Sequence, residues 1–508
     1  MATTLRDIVW LMRPSWLVVA VALGSCSKGE EPRKAPPVAT SVAPAQKLPV
    51  PTTPLPALAA DPGGATGKAL WSTAFGGLGV DGPRGVAVGP GGEVYVAGYF
   101  EGTSDFGGTI GKRPSAGASD AFVTKLDPNG KLQWAQTFGS KREDVANAIA
   151  VRGDKIVVVG SFCDELKLDE WDHKAIGSDD LYAIELDDKG NVIWVWTLGG
   201  VDSDGANAVA ATPDGGWVIG GSFSDSIDLA NVTLKSKGRT DALLVKLKAS
   251  GDLEWAKQFG GRYDDTILHL AVDGNGNIYV QGHFQDVSDW GGKPLTAAGG
   301  SDNDVVLAKY DPNGEHLWSQ RFGNAFNDVA GGVAVDLAGN VTMVGSFDKS
   351  VSFGEGDTHT SLGEADAYVV RFTTDGKLEW ARTFGAERED VAWGVAADDA
   401  GNTVTTGWFQ NSVDFGKGGA ITSKGNKDVF ALKLDAHGAP VWVQTWGDHD
   451  HDQGRGVALD AKGNAIVVGI FRFTLAIADP PLQSKIDESD PVRSKAPPPD
   501  VFVVKLAR

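Results

Sequence analysis

The chain has 508 residues, 67 of them glycine, and a formal net charge of −20. So acidic a surface repels polyphosphate and excludes nucleic acid as a partner, and two cysteines, Cys26 and Cys163, are too few for a disulfide framework. Glycine at this level without a collagen period means many tight turns, and the length suits two or three ordinary domains or one large closed β-structure.

The chain opens with an address. Residues 16–24, "WLVVAVALG", are an apolar run too short to cross a bilayer, preceded by Arg6 and Arg13. The run ends in "LGSC", a hydrophobic residue and two small ones before Cys26, which resembles a bacterial lipobox. The resemblance implies a signal peptide over 1–25, lipidation of Cys26, and, from Ser27 in place of Asp, the outer membrane. Translation from Met12 instead of Met1 gives a signal of more usual length. Acyl chains anchor through about 0.8 kcal/mol per buried CH2. Residues 26–67 are rich in Pro and Ala and have no helical or strand period. They are expected to be a disordered tether reaching up to ~100 Å at about 3.1 Å per residue. With Cys26 lipidated, Cys163 reads as a partly buried, inert thiol.

From residue 68 onward one unit repeats. "WAQTFGSKRED" at 134–144 returns as "WARTFGAERED" at 380–390. Tryptophans stand at Trp71, Trp134, Trp194, Trp255, Trp318, Trp380 and Trp442. Ten residues after each comes an aspartate: Asp81, Asp144, Asp204, Asp265, Asp328, Asp390 and Asp452. A Gly-x-Phe follows, from Gly98/Phe100 to Gly469/Phe471, and then a second aspartate: Asp120, Asp180, Asp241, Asp304, Asp366, Asp428 and Asp500. Repeats at a fixed period are the first thing to read in a chain. Each unit holds four strand-like pieces, for example "LEWAKQFGG", "ILHLAVD", "NIYVQGHF" and "DVVLAKYD". Turns such as "DGNGN" at 273–277, "DLAGN" at 336–340 and "DPNG" at 127–130 separate them. No helical period is sustained within the repeats.

Four antiparallel strands repeated seven times predict an all-β, seven-bladed β-propeller over 68–508. The first strand, 68–77, has no preceding partners, and the last copy stops at "DVFVVKLAR". The N-terminal strand is therefore expected to complete the last blade and close the ring, removing its sheet edges. The pattern "W..FGG…D…GVAVD..GNVYV.G.F…D.GG…DAFV.KLD..G" resembles the bacterial SBBP-type β-propeller repeat proteins, many of which are lipoproteins or secreted. "DGKLEWARTFG" is also similar to the Trp repeats of quinoprotein-type propellers, including the scaffold lipoprotein of the outer-membrane β-barrel assembly machine.

Both aspartate series are expected in loops on one face. Hard cations such as calcium want oxygen ligands, but a residue repeated in every blade serves what all blades share, which points to loop-fixing hydrogen bonds. Function needs asymmetry. Three residues after the first aspartate the copies differ: Arg84, Asn147, Asn207, Leu268, Gly331, Trp393 and Arg455. This position is expected in the loop before the innermost strand, ringing the channel mouth. Arg84, Asn147, Asn207, Trp393 and Arg455 are the candidate binding residues, Arg and Trp being common at hot spots. "DHDHDQ" at 448–453 offers His449, His451, Asp450 and Asp452 as a candidate transition-metal cluster, against a plain solvated loop. Residues 472–499 read as the largest insertion, a flap on the same face. There is no nucleophile elbow, Cys-x-x-Cys, His-Glu-x-x-His or phosphate loop, so no catalytic residue is assigned. The expected protein is a monomeric, lipid-anchored envelope module that binds a protein or polysaccharide through its acidic, loop-bearing face. A metal-dependent hydrolase or lyase with its site at the channel mouth, and an outer-membrane assembly scaffold, are the alternatives.

Overall fold

The computed structural model describes residues 66–229, 232–300, 302–486 and 497–508. The expected signal peptide, Cys26 and the expected tether up to residue 65 lie outside them. The described residues are all-β, with no helix, and every strand-to-strand pairing within the sheets is antiparallel. Val, Ile, Phe, Tyr and Trp fill the strands because they pack well on a pleated surface.

Strands pair in groups of four. In the first, Asp81–Val88 pairs with Val94–Asp105, then Lys112–Leu126, then Leu132–Phe138. The same order recurs from inner strands Val145–Arg152, Gly205–Ala211, Thr266–Val272, Val329–Val335 and Val391–Ala397. A further group starts at Gln453–Leu459 and continues through Ala465–Phe471 to Asp500–Leu506. Its fourth strand comes from the opposite end of the chain. Ala69–Gly77 pairs with Asp500–Leu506, Trp71 opposite Lys505. Inner strands pack in succession, each against the next, and Asp81–Val88 also packs against Gln453–Leu459.

The apolar cores lie between neighbouring groups. One holds Val157, Leu181 and Ala183 against Val209, Trp217 and Val245. Another joins Val94, Phe100 and Phe122 to Ile466, Val468, Val501 and Phe75. Third strands are therefore covered on both faces: every residue of Asp304–Tyr310, Asp428–Leu434 and Asp500–Leu506 is buried. Burying one such Phe or Leu is worth roughly 1.5–3 kcal/mol. This two-sided burial is why "DAFVTKLD" runs apolar rather than alternating.

Two sequence expectations need adjustment. The segment from 472 is the longest link between a second and a third strand, but it starts as every group does there, with a hairpin. Thr474–Leu475 pairs with Leu482–Gln483, as Ser412–Val413 pairs with Ile421–Thr422. Leu475 is fully buried and Leu482 packs on the same core, so the start of this segment is seated rather than free. The second aspartate series also lies inside or at the start of the third strand, not in a loop: the hairpin continues the strand backwards past Asp120, Asp180, Asp241 and Asp366.

Candidate binding face

The first aspartate of each unit ties one group to the next. Asp144 accepts the Ser140 N–H on Oδ2 at 2.6 Å and the Cys163 N–H on Oδ1 at 3.0 Å, and its own N–H donates to Ser119. Asp204, Asp390 and Asp452 repeat the double acceptance, from Gly200 and Ser224, Ala386 and Gln410, and Asp448 and Arg472. Asp81, Asp265 and Asp328 accept from Gly77, Gly261 and Asn324. The second series accepts the backbone N–H four residues earlier in Asp120, Asp180, Asp241, Asp366 and Asp428, whose donors are Ala116, Ile176, Lys237, Leu362 and Lys424. Asp304 takes the Ala298 N–H and Arg321, and Asp500 the Lys485 N–H. These are the loop-fixing bonds weighed above against cation binding.

Burial dominates the acidity of both series. It pushes Asp81, Asp204 and Asp328 up to about 8, and Asp144, Asp265, Asp390, Asp452 and Asp500 up to about 7. Asp180 and Asp366 rise to about 6, and Asp120, Asp241, Asp304 and Asp428 rise as well. The backbone N–H donors oppose the rise, since they favour the charged form, and do not overcome it.

The variable position sits inside the inner strand, not in the loop before it. In each inner strand the register slips there: Arg84 lies in the break between Pro83 and Gly85, Trp393 between Ala392 and Gly394, Arg455 between Gly454 and Gly456. Asn147, Asn207, Leu268 and Gly331 occupy the same bulge. An unpaired bulge residue re-aims its side chain without disturbing the ladder on either side, so this position tolerates side chains as different as Arg, Asn, Leu, Gly and Trp.

The bulge residues play different parts, and Leu268 packs against an apolar core. Asn147 Nδ2 donates to Ala206 O at 3.0 Å and Asn207 Nδ2 to Ile267 O at 3.0 Å, lacing each inner strand to the next. Gly331 has no room for a side chain, because a Cβ would lie 2.1 Å from Ala392 O. On the other side of the ring of inner strands the bulge residues form a cation–aromatic cluster. Arg84 lies over Tyr99 at 5.2 Å. Arg455 lies over Trp393 at 5.5 Å and Trp408 at 5.7 Å, and donates to Gln453 Oε1 at 2.6 Å. The Trp393 and Trp408 rings are 5.5 Å apart, and Lys427 caps Trp408 at 4.8 Å while pairing with Glu389 at 2.6 Å. Loss of hydration and then the Arg84 charge lower Arg455 to about 10.

Tyr99, Trp408 and Lys427 were not singled out in the sequence. The signal was present in the middle residue of Gly-x-Phe: it is Tyr99, Trp408 and His283 in three copies and Ser161, Ser222, Ser346 or Ile470 in the others. His283 stands beside another bulge and accepts the Ala330 N–H at 2.8 Å.

The 448–453 loop does not gather its histidines. His449 packs on Phe473 at 4.4 Å and His451 pairs with Asp450 at 2.6 Å, while Asp450 also faces Arg472. Asp452 spends both oxygens on backbone N–H groups. Among the described residues no three His, Cys, Asp or Glu side chains converge as metal ligands, and no helix is long and apolar enough to cross a membrane.

A β-propeller repeat model, SBBP, matches residues 254–283. The chain is 26% identical over 321 residues to the regulatory protein FlaEY of Caulobacter vibrioides, an alignment covering 58% of this chain and 33% of that protein. It is 23% identical over 267 residues to an uncharacterized WD repeat-containing protein of Acanthamoeba polyphaga mimivirus, covering 44% of this chain and 19% of that one. The matches thus span a third or less of those relatives. The WD40 domain of Neurospora crassa Pan2 superposes with a TM-score of 0.44 at 8% identity, over 84% of this chain and 89% of that domain. From its repeat and its antiparallel sheets, this chain is a β-propeller repeat protein.

Proposed function

We propose that this chain is a closed, seven-bladed propeller that binds a protein partner at the cell envelope, through the face bearing the aspartate loops. Propellers are typically interaction modules, and among the described residues no three His, Cys, Asp or Glu side chains gather as a metal site. Seven bladed units are supported by the repeat count, and closure by the pairing of Ala69–Gly77 with Asp500–Leu506 and by the contact between the first and last inner strands. The envelope address rests on the "LGSC" string at Cys26.

The observation that carries the binding reading is the asymmetry of the bulge ring. Identical units need identical residues only for folding, yet one arc gathers Arg84, Tyr99, Arg455, Trp393 and Trp408, residue types enriched at binding hot spots. Photo-cross-linking in living cells with the probe at position 393 tests it. A discrete cross-linked protein supports a partner-binding module and identifies the partner; a barrel-assembly protein in that band makes this an assembly scaffold. A folded, membrane-bound protein that captures nothing overturns the reading.

A further inference from the structure

From the Arg84–Arg455 pair and the aromatic side chains around it, we infer a carboxylate-binding site at the mouth of the inner-strand ring. The inference deepens the binding reading and names the chemistry of what is bound.

Two guanidinium groups stand close enough to repel, on bulges of the first and last inner strands. Neither forms an ion pair with any described residue. The groups acting on Arg455 are Arg84 and Tyr99, and no carboxylate is among them. Arg84 Nε is buried and has no hydrogen-bond partner among the described residues. A buried donor left open is costly, and like charges side by side add to that. In a chain of net charge −20, an uncompensated cation pair is conspicuous. It contrasts with Lys246, Arg371 and Lys505, each of which has a carboxylate beside it.

The surroundings select the anion. Arg84 stacks on Tyr99 and Arg455 on Trp393 and Trp408; Tyr99 and Trp393 are part-exposed while Trp408 is buried beneath Arg455 and Lys427, so the two guanidinium groups are flanked by apolar rings. A carboxylate is planar, matches the guanidinium fork and carries an apolar stem that suits aromatic walls. Phosphate presents oxygens in every direction and would leave some facing the rings. The carboxylate comes either from an acidic side chain of a protein partner or from a small free organic acid.

Calorimetry and 19F NMR on the full chain labelled with 5-fluorotryptophan test the site, with N-acetyl-glutamate amide, its glutamine counterpart, succinate and inorganic phosphate as probes. The Trp393 and Trp408 resonances, assigned by Trp393→Phe and Trp408→Phe, report binding at this place. The glutamate amide is expected to shift both resonances saturably and the glutamine amide to shift neither. Arg84→Gln and Arg455→Gln are each expected to weaken binding about tenfold or more, with Arg84→Lys in between. Unchanged melting temperatures show that the variants fold. Succinate binding far better than the glutamate amide identifies the source as a free acid; the reverse identifies a peptide. Equal binding of the glutamine amide, preference for phosphate, no shift at either tryptophan, or full affinity in the folded double variant overturns the inference. A cross-link at position 393 without carboxylate binding leaves the partner reading intact and removes only this site. Carboxylate binding without a cross-link does the opposite.

Discussion

Trp442, on strand Pro440–Trp446, lies against Gly67, which precedes strand Ala69–Gly77. A Cβ on Gly67 would stand 2.8 Å from the Trp442 ring, and Gly67 has φ +60°. Every other repeat tryptophan covers a turn glycine of the following unit in the same way: Trp71 covers Gly130, Trp134 Gly190, Trp194 Gly251, Trp255 Gly314, Trp318 Gly376 and Trp380 Gly438. Five of the indoles also donate to a carbonyl in that turn, as Trp71 Nε1 does to Pro128 O at 2.9 Å. For Trp442 the glycine is Gly67, which stands where the other tryptophans meet a turn glycine, with Thr66 N–H donating to Arg508 O at 3.1 Å.

Gly67→Val is therefore expected to destabilise the protein by roughly 1–3 kcal/mol, from left-handed backbone strain and the clash with the indole. Deleting residues 68–77 removes a whole outer strand and exposes the apolar faces of Val501 and Val503. The melting temperature should fall sharply. A deletion that melts like the parent would falsify closure through the N-terminal strand.

The buried aspartates make stability pH-dependent in an unusual direction. Their folded pKa values are raised above the unfolded value, so the stability they contribute is fully present below about 4 and is lost as pH rises through 6 to 8. Two histidines oppose them on the acid side. Loss of hydration drops His269 and His283 to about 4, so protonation of the unfolded chain below about 6.5 favours unfolding. The melting temperature should be higher at pH 6 than at pH 8. Asp265→Asn keeps an acceptor for the Gly261 N–H and removes one titration, so thermal melts of that variant should show a shallower slope between those two pH values.

Arg371 is the best-connected buried cation. It pairs with Asp336, holds Glu379 at 2.7 Å and donates to Gly401 O at 3.1 Å in the neighbouring unit; Arg371 is 5% exposed and Asp336 3%. Arg371→Ala leaves Asp336 as an unpaired buried charge and should cost about 3–5 kcal/mol in chemical denaturation. Arg371→Met with Asp336→Asn removes both charges and should cost clearly less. Equal losses would mean that packing, not charge, explains the effect.

Cys26→Ala should move the protein from the membrane fraction to the soluble one, as detergent-free fractionation and immunoblotting will show. A variant that stays on membranes means the anchor is not the acyl group proposed from "LGSC".

The four strands of each unit and the repeated markers were legible in the sequence, because each repeats at a fixed spacing and local turn chemistry does not depend on distant residues; the bulge that holds Arg84, Trp393 and Arg455 was not, because it is a register slip between paired strands. The chain by itself determined that this is an all-β repeat protein with an odd strand at its N-terminus, and that Arg84, Trp393 and Arg455 break the pattern. Only the tertiary structure decided what those residues do. Whether a bulge side chain laces two strands, as Asn147 does, or joins a cation–aromatic cluster, as Arg455 does, depends on which neighbour faces it across a unit boundary. Trp393 meets Arg455 only because successive inner strands pack side by side. Burial likewise turned fourteen aspartates from candidate cation ligands into buried hydrogen-bond acceptors. The letter Asp is the same in solvent and in a core, and the loss of water around it is the largest influence on its charge.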